Sequence, residues 1–198
     1  MFTVLAPVFL AASVLASPAL ITRQTPAGCQ SFPTDGAWNV DNFTLSALLE
    51  DDTQKPLALS GNDTTFTLAT TESISSPQGT NFTMVSSAVT APVMSNNDVA
   101  KAANTVTDGG FLTFATSQDD SASAVDSYCE LYNTDPNGSI YPYPLLAVNG
   151  YADGFSLCDS TNDSQVNVVF NASQDASSTG YDYSTCVPVH LLMVQDEQ

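Results

Sequence analysis

His190 is the one histidine of the chain, and it sits in the apolar run "VPVHLLMV". Nucleophilic catalysis needs a base beside a serine, cysteine or threonine, most often a histidine. Here the alternation puts Val187, Val189, Leu191 and Met193 on one strand face and His190 with Pro188 and Leu192 on the other. No G-x-S-x-G elbow accompanies it, so His190 reads first as a strand residue. Glycosidase chemistry would need two carboxyl groups roughly 5–10 Å apart. Glu50 and Glu130 fall in expected strands, but an exposed strand face explains both as well. The stretch "DPNGS", Asp135 to Ser139, begins like a calcium loop. It has Ile140 and Leu146 where such a loop requires glycine and glutamate. These residues predict no metal, no cofactor and no catalytic set.

Side chains suited to sugars are more plentiful. All seven tyrosines follow residue 127, and Tyr141, Tyr143, Tyr151, Tyr181 and Tyr183 lie in expected loops. A loop tyrosine offers rigid, amphipathic area for stacking on a sugar or a protein, or it roofs the core. Trp38 reads as a core or edge aromatic. Asn42, Asn62, Asn81, Asn137, Asn162 and Asn171 each begin an N-x-S/T triplet without proline, the acceptor pattern for N-glycosylation. They fall at expected turns and strand ends, where an acceptor can be exposed.

Acceptors of this kind matter only in a secreted chain, and the first residues read as a secretory signal. "VLAPVFLAASVLA" is an apolar core, and Val14-Leu15-Ala16 places small residues before a cleavage point after residue 16. Residues 17–28 form a proline-bearing lead-in in which Arg23 could mark processing, and 29–198 read as one domain. The polar end "MVQDEQ" predicts no lipid-anchor tail. The net charge is −18, with Arg23, Lys55 and Lys101 as the only cations. That charge opposes nucleic acid and anionic membrane surfaces and suits an extracellular medium. Cys29, Cys129, Cys158 and Cys186 then read as two disulfides. Three connectivities are open. The preferred one joins Cys158 to Cys186 between two C-terminal strands and Cys29 to Cys129 across the N-terminal segment. The spacings fit no zinc site.

The elements expected to carry these residues are strands. Phe43, Leu45, Ala47 and Leu49 alternate with polar positions. The stretches 64–70, 81–89, 111–116, 128–132, 154–158, 165–170 and 186–194 follow, separated by Gly, Asn, Asp and Pro clusters. Many short strands so spaced predict an all-β, antiparallel sandwich or barrel. Only "NNDVAKAAN", 96–104, reads as a short helix, capped by Asn96 or Asn97. In "SQVNVVFNAS" the face of Val166, Val168 and Phe170 is expected to be buried. The face of Asn167, Val169 and Asn171 is expected to be solvated and sugar-bearing.

"GYADGFSLC" at 150–158, "QVNVVF" at 165–170 and "TCVPVHLLMV" at 185–194 resemble the C-terminal third of small secreted fungal surface proteins of the phialide cell-wall type. Those proteins similarly carry a Gly-Phe-x-x-Cys segment, a strand, and a last cysteine entering a final apolar strand. The resemblance implies a non-enzymatic, wall-associated or secreted glycoprotein with a sandwich-like β fold. Its partners would be cell-wall polysaccharide or other wall proteins. The other readings are a carbohydrate-binding module using loop tyrosines, and a small hydrolase using His190 or a carboxylate pair.

Overall fold

A computed structural model describes residues 27–32, 36–62, 64–94, 98–102, 106–116, 125–132, 140–175 and 180–195. The expected signal, the lead-in to residue 26 with Arg23, the 135–139 segment and Asn137 lie outside them. Fourteen strands are present: β1 (Gly36–Ala37), β2 (Val40–Leu48), β3 (Gln54–Asn62), β4 (Thr65–Thr70), β5 (Asn81–Val85), β6 (Ala88–Pro92), β7 (Val99–Ala102), β8 (Gly110–Phe111), β9 (Thr113–Thr116), β10 (Tyr128–Leu131), β11 (Leu145–Val148), β12 (Phe155–Asp159), β13 (Val166–Phe170) and β14 (Val187–Gln195). Among the described residues these are all the strands, and all their pairings are antiparallel. Nine strands close a barrel in the order β2, β14, β12, β13, β4, β9, β7, β6, β5 and back to β2. Strand β3 bridges β2 and β4. Of the two architectures expected, the barrel is the one realised, within a single all-β domain.

Alternation explains the interior. Phe43, Leu45 and Ala47 of β2, Phe66 and Leu68 of β4, Phe82 and Met84 of β5, and Leu191 and Met193 of β14 all enter one core. Phe82 packs between Phe43 and Phe114, with ring centroids 5.9 and 6.0 Å away. Each such side chain contributes roughly 1.5–3 kcal/mol by leaving water. A second, smaller cluster outside the barrel wall gathers Leu48, Leu145, Ala147 and Leu192 around the Cys29–Cys129 disulfide, with Trp38 and Phe32 partly buried against it. The other disulfide joins Cys158 to Cys186, so the preferred connectivity is the one present.

Several elements differ from expectation. The 96–104 stretch is not helical where it is described: Val99–Ala102 is β7, paired with β6 and β9. Its inward Ala100 and Ala102 are buried, and Val99 is exposed. Two partner strands satisfy its backbone, which outweighs the modest helix preference of alanine. The 81–89 run is two strands, turned at Ser86-Ser87 with φ of 50° and 66°. Two positive φ angles in a two-residue loop match the right-handed twist of a hairpin. Asn39 Oδ1 accepts from Ser86 N at 2.9 Å and the Trp38 carbonyl from Ser87 N at 2.9 Å, holding serines in a conformation better suited to Asn-Gly. The 111–116 run changes partners at Leu112, with β8 on β13 and β9 on β4 and β7. The outer face of β13 is not solvated as expected: Asn167 and Val169 are both buried. Tyr181, Cys158 and the partly buried Cys186 and Phe111 cover Val169.

Candidate functional site

Polar side chains of the outer barrel wall meet in an open groove of about 840 Å³. Its floor is built by alternation. Because Phe66 and Leu68 point inward from β4, Thr65 and Thr67 point out. Asn167 likewise points out between the inward Val166 and Val168 of β13. Thr67 Oγ1 lies 3.2 Å from Asn167 Oδ1 and also donates to the Ser60 carbonyl at 3.3 Å. Gly61 continues the floor, where a Cβ would collide with the Thr65 carbonyl.

Two ordered segments form the walls. On one side the chain leaves β4 in a 3-10 turn, Thr71–Ser73. Ser73 Oγ donates to the Thr70 carbonyl at 2.9 Å and accepts from Val166 N at 3.0 Å, tying the turn to β13. Ile74 then packs on Ala58 and Ala69. Gln78 and Gly79 dock along β3 through backbone bonds to Leu59 of 2.8 Å each. On the other side, Ser160 Oγ accepts from the amides of Asn162 and Asp163 at 3.2 and 3.4 Å, and Asp163 Oδ1 accepts from Gln165 N at 3.0 Å. Short side-chain-to-backbone bonds of this kind hold a loop without a core of its own. Phe111 closes one end. Gln78 Oε1 is buried and has no hydrogen-bond partner among the described residues, and Gln78 lines this groove. A buried acceptor left open costs about 1–3 kcal/mol until something donates to it.

A second constellation surrounds His190. Tyr141 and His190 Nε2 lie 3.1 Å apart through the tyrosine hydroxyl, with the rings edge to face at 4.8 Å. Burial, then the charge of Asp153, raises the Tyr141 pKa. His190 Nδ1 faces Asp153 Oδ1 at 3.5 Å. Glu50 and Asp52 line the same cavity. The order is carboxylate, imidazole, hydroxyl, but the hydroxyl is a phenol with a raised pKa and the Asp153 side chain is 88% exposed.

The other residues read from sequence are dispersed. Glu50 lies in the turn after β2 and is exposed, not in a strand. Glu130 is 1% exposed, so it does not sit on an outer face as expected. Its strand neighbours leave it beneath Gln195, whose Nε2 donates to Oε1 at 3.3 Å, and Tyr132 also bonds the carboxylate. Burial raises the Glu130 pKa, partly offset by Tyr132, and the Tyr132 phenol is itself pushed up to about 12, by burial first. A carboxyl group with a raised folded pKa adds stability at low pH and loses it as pH rises through that value. Glu130→Gln is therefore expected to stabilise the protein by about 1–3 kcal/mol at pH 7 and to change little at pH 4, measured by urea unfolding.

Tyr143, Tyr151 and Tyr183 are exposed, and Tyr141 is half-buried against His190. Tyr181 is a correction: it is 1% exposed. Its hydroxyl exchanges bonds of 3.2 Å with the backbone of Ser173, and its ring meets Phe111 edge to face, so it is not open to a ligand. Asn42, Asn81, Asn162 and Asn171 are exposed, and Asn62 ends β3. Asn171 Nδ2 donates to Asp108 Oδ1 at 2.7 Å. Ser60, Thr67, Gln78 and Asn167 escaped the sequence reading. Their one signal is polar residues at alternate positions inside strands, as in "TFT" and "VNV".

No family model, no curated protein and no solved structure matches the chain.

Proposed function

We propose that this protein is a non-enzymatic, secreted acidic glycoprotein of an extracellular matrix or cell wall that binds neutral polysaccharide in the barrel-wall groove. The observation that carries this reading is the groove's lining. It is mostly hydroxyls and carboxamides, with one carboxylate (Asp163), one aromatic ring (Phe111), one aliphatic side chain (Ile74) and two glycines, and a buried acceptor on Gln78 is left open. Such groups pair with sugar hydroxyls, which donate and accept equally. The lining has no lysine, arginine or histidine, and the chain carries −18, so an anionic polymer would find no counter-charge. Two disulfides fit an oxidising compartment. The resemblance to phialide-type wall proteins supports the same location.

The reading moves the sugar contact from the loop tyrosines to the polar groove. The test is retention on chitin, β-glucan and cellulose. Asn162→Gln protein is used, because this variant removes the sequon on the rim and keeps an amide there. Saturable retention on one polymer supports the proposal, and none on any overturns it.

A hydrolase centred on His190 is the second reading, favoured only by the Asp153–His190–Tyr141 alignment. The hydroxyl beside His190 is a phenol rather than a serine, threonine or cysteine side chain, and the Asp153 carboxylate is largely exposed. His190→Ala is expected to leave polysaccharide retention unchanged. A panel of esters and glycosides is expected to show no turnover that depends on His190; turnover lost in His190→Ala would favour the hydrolase.

A further inference from the structure

We infer that the Phe111 end of the groove is the seat of the chain's own Asn162-linked glycan, which occupies the groove and competes with external polysaccharide. The regulatory half of this inference rests on the saccharide reading of the groove; the seating of the glycan does not. Asn162 and Ser164, the acceptor and the hydroxyl of one sequon, both line the groove. The loop that presents them is held by its backbone amides, which donate to Ser160 Oγ and Asp163 Oδ1. The surroundings of the acceptor are recorded at Gly180, which has φ +97°. A Cβ there would lie 3.4 Å from Asn162 Nδ2 and 3.5 Å from the Phe111 ring. The atom that would bear the sugar and the edge of the Phe111 ring thus border the same space over Gly180, a residue with no side chain. A first N-acetylglucosamine leaving Nδ2 meets Phe111 with its apolar face, while Thr67, Asn167 and Gln78 lie further along the groove to receive hydroxyls. Asn171, the next sequon, lacks this setting because its Nδ2 is bonded to Asp108.

The experiment has two arms. In the first, folded secreted protein is treated with an endoglycosidase for timed intervals, and each sequon is read by peptide mass spectrometry. The Asn162 glycan is expected to be trimmed at least ~10-fold more slowly than those on other occupied sequons, a factor equivalent to about 1.4 kcal/mol of docking. Phe111→Leu, which keeps an apolar side chain against Tyr181, is expected to remove that protection. A bare Asn162, or trimming at equal rates in the wild type and Phe111→Leu, overturns the seating. In the second arm, Asn162→Gln is expected to bind polysaccharide at least ~10-fold more tightly than the glycosylated wild type. Equal affinity overturns the competition. If Asn162→Gln binds no polysaccharide, the saccharide reading fails, while the first arm still decides where the glycan sits.

Discussion

Asn167→Leu, introduced into the Asn162→Gln protein, is expected to weaken polysaccharide binding by ten-fold or more while leaving the fold intact. Asn167 is the buried amide in the groove floor, 4% exposed, with Oδ1 at 3.2 Å from Thr67 Oγ1. Leucine has the same number of side-chain heavy atoms, branched at the same carbon, and no polar atom, so it removes a donor and an acceptor from the floor at once. Thr67 keeps a partner, because its hydroxyl already donates to the Ser60 carbonyl at 3.3 Å. No buried polar group is orphaned, which is the usual source of a large stability loss. The expected pattern is therefore a change in affinity with an unfolding midpoint within about 1 kcal/mol of the parent. A matched loss of both would mean that Asn167 only supports the wall.

Replacing Cys29 and Cys129 together by alanine is expected to cost about 4–5 kcal/mol, read from urea unfolding under oxidising conditions. The bridge closes a sequence separation of 100, against 28 for Cys158–Cys186. In the loop-closure view the longer loop stabilises more, by about 1 kcal/mol. Its surroundings add to the effect. Both sulfurs are fully buried, in a cluster with Leu48, Leu145 and Leu192. Gly36 packs so closely that a Cβ there would come 2.6 Å from Cys129 Sγ. The same bridge holds the 3-10 turn Ala27–Cys29 against β10, where Gly28 N donates to the Asp126 carbonyl at 2.9 Å. Loss of the bridge frees this layer, whereas loss of Cys158–Cys186 frees only the cover over β12 and β13.

What could be read from sequence follows from what alternation reports. Strands with one clear inward face, such as β2 with Phe43 and Leu45 or β14 with Leu191 and Met193, were legible. Strand β3 was not. Pro56, Ser60 and Gly61 break its pattern, and its pairing with β2 and β4 is set by partners distant from any local signal. β11, "LLAV", is buried on both faces, so it shows no alternation at all. β7 misled because two alanines and a lysine satisfy a helical pattern as easily as a strand. The disulfide pairing was legible as a preference, since Cys158 and Cys186 enter adjacent strands. The groove was nearly invisible. It draws single serines, threonines and amides from β3, β4, the 71–79 segment and the 160–167 stretch, and no spacing in the chain joins them. The tyrosines drew notice instead because they cluster in sequence, although Tyr181 serves the outer core and Tyr141 pairs with His190.

Isothermal titration of Asn162→Gln protein with soluble chitin and β-glucan oligosaccharides tests the groove most directly, with Asn162→Gln/Asn167→Leu titrated alongside. The account predicts saturable, salt-insensitive heat with one oligosaccharide, lost in the double variant, because the ligand is neutral and the floor amide contacts it. No heat with any neutral oligosaccharide, or equal heat from both proteins, would contradict it.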